Sequence, residues 1–358
     1  MFISVVLRLA LPETPGKCPT PSGISDSYSG MNIFAALRRN KNLASGLCAL
    51  LLAFAACTLA QAQEKPQPAA NDGAVKVQMH NVMYHYTDNI TVHLRDVGGA
   101  LVPTTPGQVP VFDDKKSFSI QLEAAEIAIP PQSLANILNS NVFSGSDSPL
   151  KDIEVSIENG LLKIKGKLRK KGDISFETQG QLSATPDGKI RLHAEKIKAL
   201  HLPVKGMMDL FGIDIADLIK NGKVKGVQAE KDDLILDPGE ILPLPRITGK
   251  VTAIRLEPNN IVQTFGDPKK YAWTKIQAQN YMAYRGNKLQ FGKLLMSDAD
   301  MILIDPAPKD PFDFYLDHYQ DELVAGYTKM TPQNGLRVYM VDYNKLKKPA
   351  TVQTVKKK

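Results

Sequence analysis

The segment from Ile153 to Leu200 constrains the fold more than any other part of the chain, because apolar and polar residues alternate along it. Alternation with a period of two predicts half-buried β-strands. Asn159-Gly160 is a hairpin signal, since both residues tolerate a positive φ angle. Pro186-Asp187-Gly188 marks a further turn. The segment therefore predicts an antiparallel meander with one sheltered face and one polar face.

The two faces of this meander differ in chemistry. The sheltered face collects the apolar positions Ile153, Val155, Ile157, Leu162, Ile164, Leu168, Ile174 and Phe176. The other face and the turn after it carry the basic residues Lys163, Lys165, Lys167, Arg169, Lys170 and Lys171. One interpretation is a solvated sheet face on which lysine discourages edge pairing. The other is contact with anionic lipid headgroups. Nucleic acid is not expected as a partner, because no aromatic residues interleave with the lysines.

An apolar helix is predicted after Pro203. Its apolar residues are too numerous for a narrow surface stripe, which indicates burial. Met207, Met208 and Phe211 fit simple core packing. They also fit an adaptable pocket wall, because methionine repacks around irregular ligands. Both interpretations stay open at this point.

The N-terminal part has the features of an exported protein. A basic cluster (Arg38, Arg39 and Lys41) precedes the apolar run Leu43 to Leu59 and the small residues around Ala62. These features predict a signal peptide cleaved after Ala62, with residues 1–30 as an upstream extension before Met31. The alternatives are an uncleaved membrane anchor, since a span needs about 20 residues, or a lipoprotein site at Cys57.

Cysteine positions and charge exclude further classes for the cleaved chain. Cys18, Cys48 and Cys57 all precede Ala62, so the cleaved chain has neither disulfides nor cysteine-ligated metals. The formal net charge of the whole chain is +7. The segment up to Ala62 carries five basic and two acidic residues, so the remainder is only mildly basic. This balance argues against a dedicated nucleic-acid binder.

The sequence predicts the following organisation after the signal peptide: a linker over 63–74, a first domain over 75–237, a second strand-rich module over 246–343 and a basic tail over 344–358. The proline-rich segment from Asp237 to Pro245 is the predicted boundary. In the first domain we expect a strand pair from Val75 to Val102 and a short helix that begins at Pro131.

An acidic helix is predicted to begin at Asp310-Pro311, with Asp as N-cap and Pro in the first turn. Asp313, Asp317 and His318 could be imagined as metal ligands. A solvated acidic face near a helix N-terminus explains the same residues without a metal. We therefore predict no metal and no cofactor.

Sequence motifs of common enzymes are absent. The chain contains no G-x-S-x-G, Walker, H-E-x-x-H or G-x-G-x-x-G sequence. We therefore do not predict an enzyme. A periplasmic hydrolase remains as a remote alternative, and it would need a cleft with convergent polar groups.

Pro130 to Leu218 resembles the tubular lipid-binding (TULIP-like) families, in particular their bacterial phospholipid-binding branch. The resemblance is carried by the short helix at Pro131, the Asn159-Gly160 hairpin, the long strands up to Leu200 and the Leu202-Pro203 junction with an apolar helix. It implies an α+β fold, in which a long curved antiparallel sheet wraps around the apolar helix. The strand-rich C-terminal part would be an extension of this fold.

The resemblance also implies a function, namely an exported envelope protein that binds a phospholipid or fatty acid in an apolar groove. The eight sheltered strand positions together with Met207, Met208 and Phe211 would line the groove. Burial of an acyl chain contributes about 0.8 kcal/mol per methylene, so an apolar groove suffices. The alternative is a structural or interaction protein of the envelope with a filled interior. No oligomeric state is predicted.

Overall fold

Two large β-sheets account for most of the described chain, as the alternating sequence patterns predict. The molecule is known from a computed structural model, which describes residues 73–346 except 147, 149, 170–172, 200–224, 231–232 and 308. The described residues all belong to one compact unit, Pro66–Lys358.

The strands follow one another with short connections over most of the described chain. In chain order they are β1 (Val75–Thr87), β2 (Ile90–Pro103), β3 (Phe118–Ile129), β4 (Leu150–Glu158), β5 (Leu161–Arg169), β6 (Asp173–Ala184), β7 (Ile190–Ala199), β8 (Val227–Glu230), β9 (Asp233–Leu236), β10 (Arg246–Thr248), β11 (Val251–Glu257), β12 (Asn260–Gly266), β13 (Tyr281–Arg285), β14 (Leu289–Phe291), β15 (Leu294–Met296), β16 (Asp300–Ile304), β17 (Phe312–Tyr315), β18 (Tyr327–Met330) and β19 (Leu336–Tyr339). The helices are α1 (Pro131–Ile137), α2 (Pro238–Ile241) and α3 (Tyr319–Ala325), with a π-helical turn at Leu138–Val142 and a 3-10 turn at Tyr343–Lys345.

The first sheet has the strand order β11-β12-β3-β2-β1-β13-β16-β19-β18, with β10 beside β3 and β17 beside β1. It curls into a half-barrel. The predicted strand pair from Val75 to Val102 is confirmed as the antiparallel pair β1–β2. Three pairs in this sheet are parallel, namely β1–β17, β3–β10 and β16–β19. The first sheet is therefore mixed rather than purely antiparallel.

The second sheet is the predicted meander and has the order β4-β5-β6-β7-β9-β8. All of its pairs are antiparallel. Asn159 and Gly160 have φ angles of 54° and 75°, as the hairpin requires. Gly188 has a φ angle of 88° at the next predicted turn. The local turn chemistry therefore determined this part of the fold.

Helix α1 connects the two sheets. Pro131 stands in its first turn, where its missing N–H costs nothing. Leu134 and Ile137 are buried, and the helix packs against β2 of the first sheet and β4 of the second. The apolar side chains of both sheets and of α1 form one continuous core.

The prediction of a helix that begins at Asp310 is wrong for its first part. Residues 312–315 form strand β17, and helix α3 begins only at Tyr319. Phe312 and Phe314 are fully buried, and Asp313 lies between them on the other face. This alternation has the period of a strand, and β17 pairs in parallel with the part of β1 from Val82 to His85, beyond the residues of β1 that pair with β13.

The α+β class and the curled sheet are confirmed at a coarse level. The apolar helix that the sheet was expected to enclose falls in 200–224, outside the described residues. Strands from both sides of the predicted boundary at Asp237 to Pro245 pair within the first sheet. Among the described residues, none of the helices has the length and apolar character needed to cross a membrane.

Candidate functional site

The eight strand residues predicted to line a groove lie on one face of the second sheet. Directly paired positions on this face include Val155 with Ile164 and Leu168 with Ile174. The buried members are Ile153, Leu162, Ile164, Leu168 and Phe176. The half-buried members, which pack against the core, are Val155, Ile157 and Ile174. The remaining predicted members, Met207, Met208 and Phe211, lie outside the described residues.

This face stays apolar across the sheet because each strand places an apolar residue at the same level. Leu182 on β6 pairs with Leu192 on β7, which pairs with Leu234 on β9. Gly166 and Phe176 are also paired. A Cβ atom on residue 166 would lie 2.9 Å from Cε1 of Phe176. Glycine therefore provides the space that the phenylalanine ring occupies.

The interior at α1 is almost filled. A void of ≈ 20 Å³ is lined by Leu134, Leu162, Leu236 and neighbouring apolar side chains. One water molecule needs roughly 10–15 Å³ of such volume, and ligand pockets usually measure about 300–1,000 Å³. An acyl chain therefore fits between these side chains only if they move apart.

A larger opening lies farther along β5, β6 and β7. This depression measures ≈ 700 Å³. One row of its lining consists of the laterally paired residues Gly166, Phe176 and Ala199. The adjacent row contains Lys165 and Lys198 with Glu177 between them. Asp152, Glu154, Lys167 and Ser175 complete the lining. Side chains of neighbouring rows point to opposite faces of a sheet. The depression therefore lies on the outer face among charged side chains of both signs, whereas the Phe176 side chain is buried on the core side.

Carboxylates interleave with the predicted basic ladder. The Nζ atom of Lys163 lies 3.0 Å from Glu158 and 3.4 Å from Glu177. Lys167 pairs with Asp152 at 2.8 Å. Arg169 donates a hydrogen bond to the carbonyl oxygen of Ser146.

Within the described part of the chain, Lys165 makes no ion pair, while Lys170 and Lys171 lie outside it. Lys163 and Lys167, half of the described ladder, are therefore neutralised locally. Such pairing is what the solvated-face interpretation expects.

The sequence analysis did not predict a polar cluster that lies near the C-terminal end of β1. Nε2 of His85 lies 2.6 Å from Oδ1 of Asp313, and Nδ1 lies 2.8 Å from Oγ1 of Thr91. The Tyr315 ring stacks on the imidazole with a centroid distance of 3.7 Å. These residues meet because β17 pairs with β1 across more than 200 positions of sequence. No local pattern could have indicated that contact.

The Asp313–His85–Thr91 arrangement has the residue types of an acid–base–nucleophile triad. A triad also needs donors for a developing oxyanion. The N–H group of Thr91 instead donates to Oγ of Ser133 at 3.1 Å. His85 is buried beneath Tyr315. We therefore attribute the cluster to the stability of the fold.

Glu322 lies beside this cluster on α3 and is completely buried. One carboxyl oxygen accepts a hydrogen bond of 2.9 Å from the N–H of Tyr315, and the other has no hydrogen-bond partner among the described residues. Burial, together with the neighbouring carboxylates of Asp313 and Asp342, raises the pKa of Glu322 to about 8. Burial disfavours the charged form of a carboxyl group, which explains this direction.

Each of the three residues considered as metal ligands contacts a different side chain. Asp313 contacts His85, Asp317 pairs with Lys115, and His318 stacks on Tyr343 with a centroid distance of 4.5 Å. Within the described ranges, no group of three or more His, Cys, Asp or Glu residues could hold a metal ion.

Comparison with known proteins identified no relative: no family model, curated protein or solved structure matches the chain.

Proposed function

We propose that the protein is an exported envelope protein that binds or carries a lipid acyl chain in an apolar groove of the second sheet. The observation that carries this proposal is the ≈ 700 Å³ depression at β5 to β7. A phosphate group would face Lys165 and Lys198 on the outer side of the sheet. The acyl chain would lie on the other, apolar side, where Phe176 is buried. A phospholipid needs both kinds of surface within one molecule length.

The chain connectivity supports the same assignment. The depression reaches Ala199, where β7 ends, and the segment 200–224 follows directly. That segment carries Met207, Met208 and Phe211 in sequence. These side chains are the expected cover of the groove, and methionine suits a cover that repacks around ligands of varied shape. This arrangement corresponds to the one implied by the TULIP-like resemblance.

We also propose that the outer face of β5 contacts the membrane surface. Lys165 has no carboxylate partner among the described residues, so its charge is free to meet an anionic headgroup. We include Lys163, Lys167 and Arg169 in the proposed contact, and extend it to Lys170 and Lys171. Contact with a membrane would then exchange the present carboxylate partners for lipid phosphates. The signal peptide would direct export and be cleaved after Ala62.

The filled interior at α1 limits how a lipid enters. A void of ≈ 20 Å³ holds no acyl chain, so binding starts at the depression and proceeds by separation of side chains. We expect uptake to be slow in comparison with diffusion, because binding that requires a conformational change has a reduced association rate.

The test is native mass spectrometry of the purified full chain, followed by lipid extraction, with and without incubation with phosphatidylglycerol vesicles. We expect a phospholipid or fatty acid at near-stoichiometric amount. Val155→Gln places an amide on the half-buried apolar face and should reduce lipid occupancy. Ser156→Gln changes the adjacent outward position and should leave it unchanged. Protein that is empty and takes up no lipid from vesicles would contradict the proposal.

The second candidate is an interaction protein of the envelope without a lipid, and one observation favours it. Val324, Tyr327 and Met330 have exposed fractions of 85%, 50% and 62%. They lie at or beside β18, the strand at one end of the first sheet. An exposed edge strand with apolar side chains is a template for pairing with another chain. Retained partner binding by a lipid-free protein, lost in Met330→Lys, would support this candidate over the first.

A further inference from the structure

A second cavity lies on the first sheet, on the face turned away from the core. It measures ≈ 400 Å³ and is bordered by β1, β2, β3 and β13 and by the loop 267–280. Gln78 on β1 holds this loop in place. Its Nε2 donates to the carbonyl oxygen of Thr274 at 2.8 Å, and its Oε1 accepts from the N–H of Thr274 at 2.9 Å. The loop is therefore fixed over the sheet.

Gly98, next to the lining residue Gly99 on β2, allows the aromatic ring of Tyr271 to approach the sheet. A Cβ atom on Gly98 would lie 2.3 Å from Cε1 of Tyr271, so only glycine lets this ring rest against β2. Trp273 packs edge-on against Tyr271 with a centroid distance of 4.6 Å, and its indole N–H donates to Pro268 at 2.9 Å. Trp273 thus holds the ring of Tyr271 in place without a ligand.

The charges around the cavity are unbalanced. Lys76 on β1 lies directly opposite Arg285 on β13, and like charges in directly opposite positions destabilise a sheet. Arg285 has Asp300 at 3.5 Å. Within the described part of the chain, no carboxylate lies within ion-pair distance of Lys76. Lys270 is a third cation in the lining and pairs with Asp267 at 3.1 Å, and Glu123 is the single lining carboxylate. Lys76 is thus the lining cation without a carboxylate partner among the described residues.

We propose that this cavity binds a small organic anion. Its phosphate or carboxylate group would lie between Lys76 and Arg285, where it relieves the repulsion of the two cations. Its flat or apolar body would rest against the ring of Tyr271. The volume falls within the usual range of ligand pockets. The site is on the opposite sheet from the proposed lipid groove, so the two proposals stand or fall separately.

The test is titration calorimetry of the full chain with phenyl phosphate, with inorganic phosphate as the ligand that lacks the ring. We expect saturable binding of phenyl phosphate. Lys76→Glu should weaken it by about tenfold or more, because a charge-assisted hydrogen bond is lost. Tyr271→Ala should weaken phenyl phosphate but leave inorganic phosphate unchanged. Lys293→Glu, at an exposed turn outside the cavity, is the matched charge control.

A vesicle experiment distinguishes the two sources of such an anion. If phenyl phosphate displaces the wild-type protein from phosphatidic acid vesicles, and Lys76→Glu shows no such displacement, the natural anion is a lipid headgroup. Binding of phenyl phosphate without vesicle binding would identify a free solute. No saturable binding by the wild type would overturn the proposal. Equal binding by Lys76→Glu and Lys293→Glu, both with an unchanged melting temperature, would do the same.

Discussion

At the scale of single residues, Glu322 departs furthest from its ordinary chemistry. Its carboxyl group is completely buried, one of its oxygens has no hydrogen-bond partner among the described residues, and burial favours the protonated form. Its position follows from α3, which turns one face inward beneath β17. The N–H of Tyr315 donates to one carboxyl oxygen, and within the described part of the chain no donor reaches the other. The residue therefore couples folding to pH.

Replacement of Glu322 should remove this coupling. Its folded pKa of about 8 lies above the ordinary 4.5, so the folded state retains a proton that the unfolded state releases. Wild-type stability should therefore fall as pH rises from about 5 to about 8. Glu322→Gln mimics the protonated acid and should be the more stable form at pH 9, by at most about 5 kcal/mol. Urea unfolding at pH 5 and pH 9 measures the difference.

The control for this experiment is Glu154→Gln, at an exposed position of β4. It should leave the pH dependence of stability as in the wild type. If the Glu322→Gln curve also runs parallel to the wild-type curve, the burial of Glu322 does not govern the pH dependence.

A second residue-scale prediction concerns Gly266 at the end of β12. Its φ angle is +58°, and a Cβ atom there would lie 1.8 Å from the carbonyl oxygen of Glu123. Gly286 has a φ angle of +73° with no atom within 4 Å of a Cβ. Both substitutions place alanine at a positive φ angle, but only Gly266→Ala adds a steric clash. Gly266→Ala should therefore destabilise the fold by about 2 kcal/mol more than Gly286→Ala. Equal unfolding midpoints in urea would exclude the clash.

At the scale of elements, an ion network ties three strands of the first sheet together. Arg95 on β2 lies 2.9 Å from Glu126 on β3 and 2.5 Å from Glu257 on β11. Arg255 on β11 donates to both carboxyl oxygens of Glu126, at 2.8 Å and 3.1 Å. The hydrogen bonds from Arg255 and Arg95 lower the pKa of Glu126. Two-point contacts of this kind are stronger than simple surface ion pairs.

Removal of the Glu126 charge should show this contribution. A lowered folded pKa means that the stabilisation is present above the ordinary carboxyl pKa and is lost as pH falls through the folded value. Glu126→Gln should therefore lower the free energy of unfolding at pH 7 by about 1 kcal/mol, a modest value because the network is partly solvated. At pH 3 the two proteins should unfold more nearly alike.

Glu123→Gln is the matched control for the ion network. It lies on the same strand, and it makes no ion pair among the described residues. Its effect at pH 7 should be close to zero. An equal loss of stability in both variants would assign the effect to the strand and not to the network.

At the scale of the whole molecule, the first sheet joins distant parts of the chain. Strand β3 lies between β2 on one side and β12 and β10 on the other, and β1 pairs with β13 and β17. Apolar residues of both sheets then share one core. These pairings need residues from both sides of the predicted boundary at Asp237 to Pro245.

A chain that ends at residue 245 should therefore fail to fold cooperatively. It would expose edges of β1 and β3 that are now paired, together with the core beneath them. A chain that ends at residue 346 keeps all the described elements and should unfold in a single transition. Thermal unfolding followed by circular dichroism compares the two. A sharp transition in the shorter chain would instead support two independent domains.

Local physical chemistry in the sequence predicted much of the secondary structure. The Asn159-Gly160 turn, the β1–β2 pair and the start of α1 at Pro131 follow from backbone geometry and residue periodicity within short windows. The common face of the predicted groove residues follows from the same periodicity. The helix start predicted at Asp310 was wrong because Phe312 and Phe314 alternate with polar residues, and this alternation favours a strand in spite of the capping residues before it.

The sequence by itself determined the strand-rich class, the meander and its apolar face, because these depend on neighbours a few residues apart. Only the tertiary structure decided the parallel pairing of β17 with β1, the burial of Glu322, and the approach of Lys76 to Arg285 beneath Tyr271. Each of these depends on contacts between residues that are far apart along the chain. Such contacts are selected by the burial of the whole core, which no local pattern encodes.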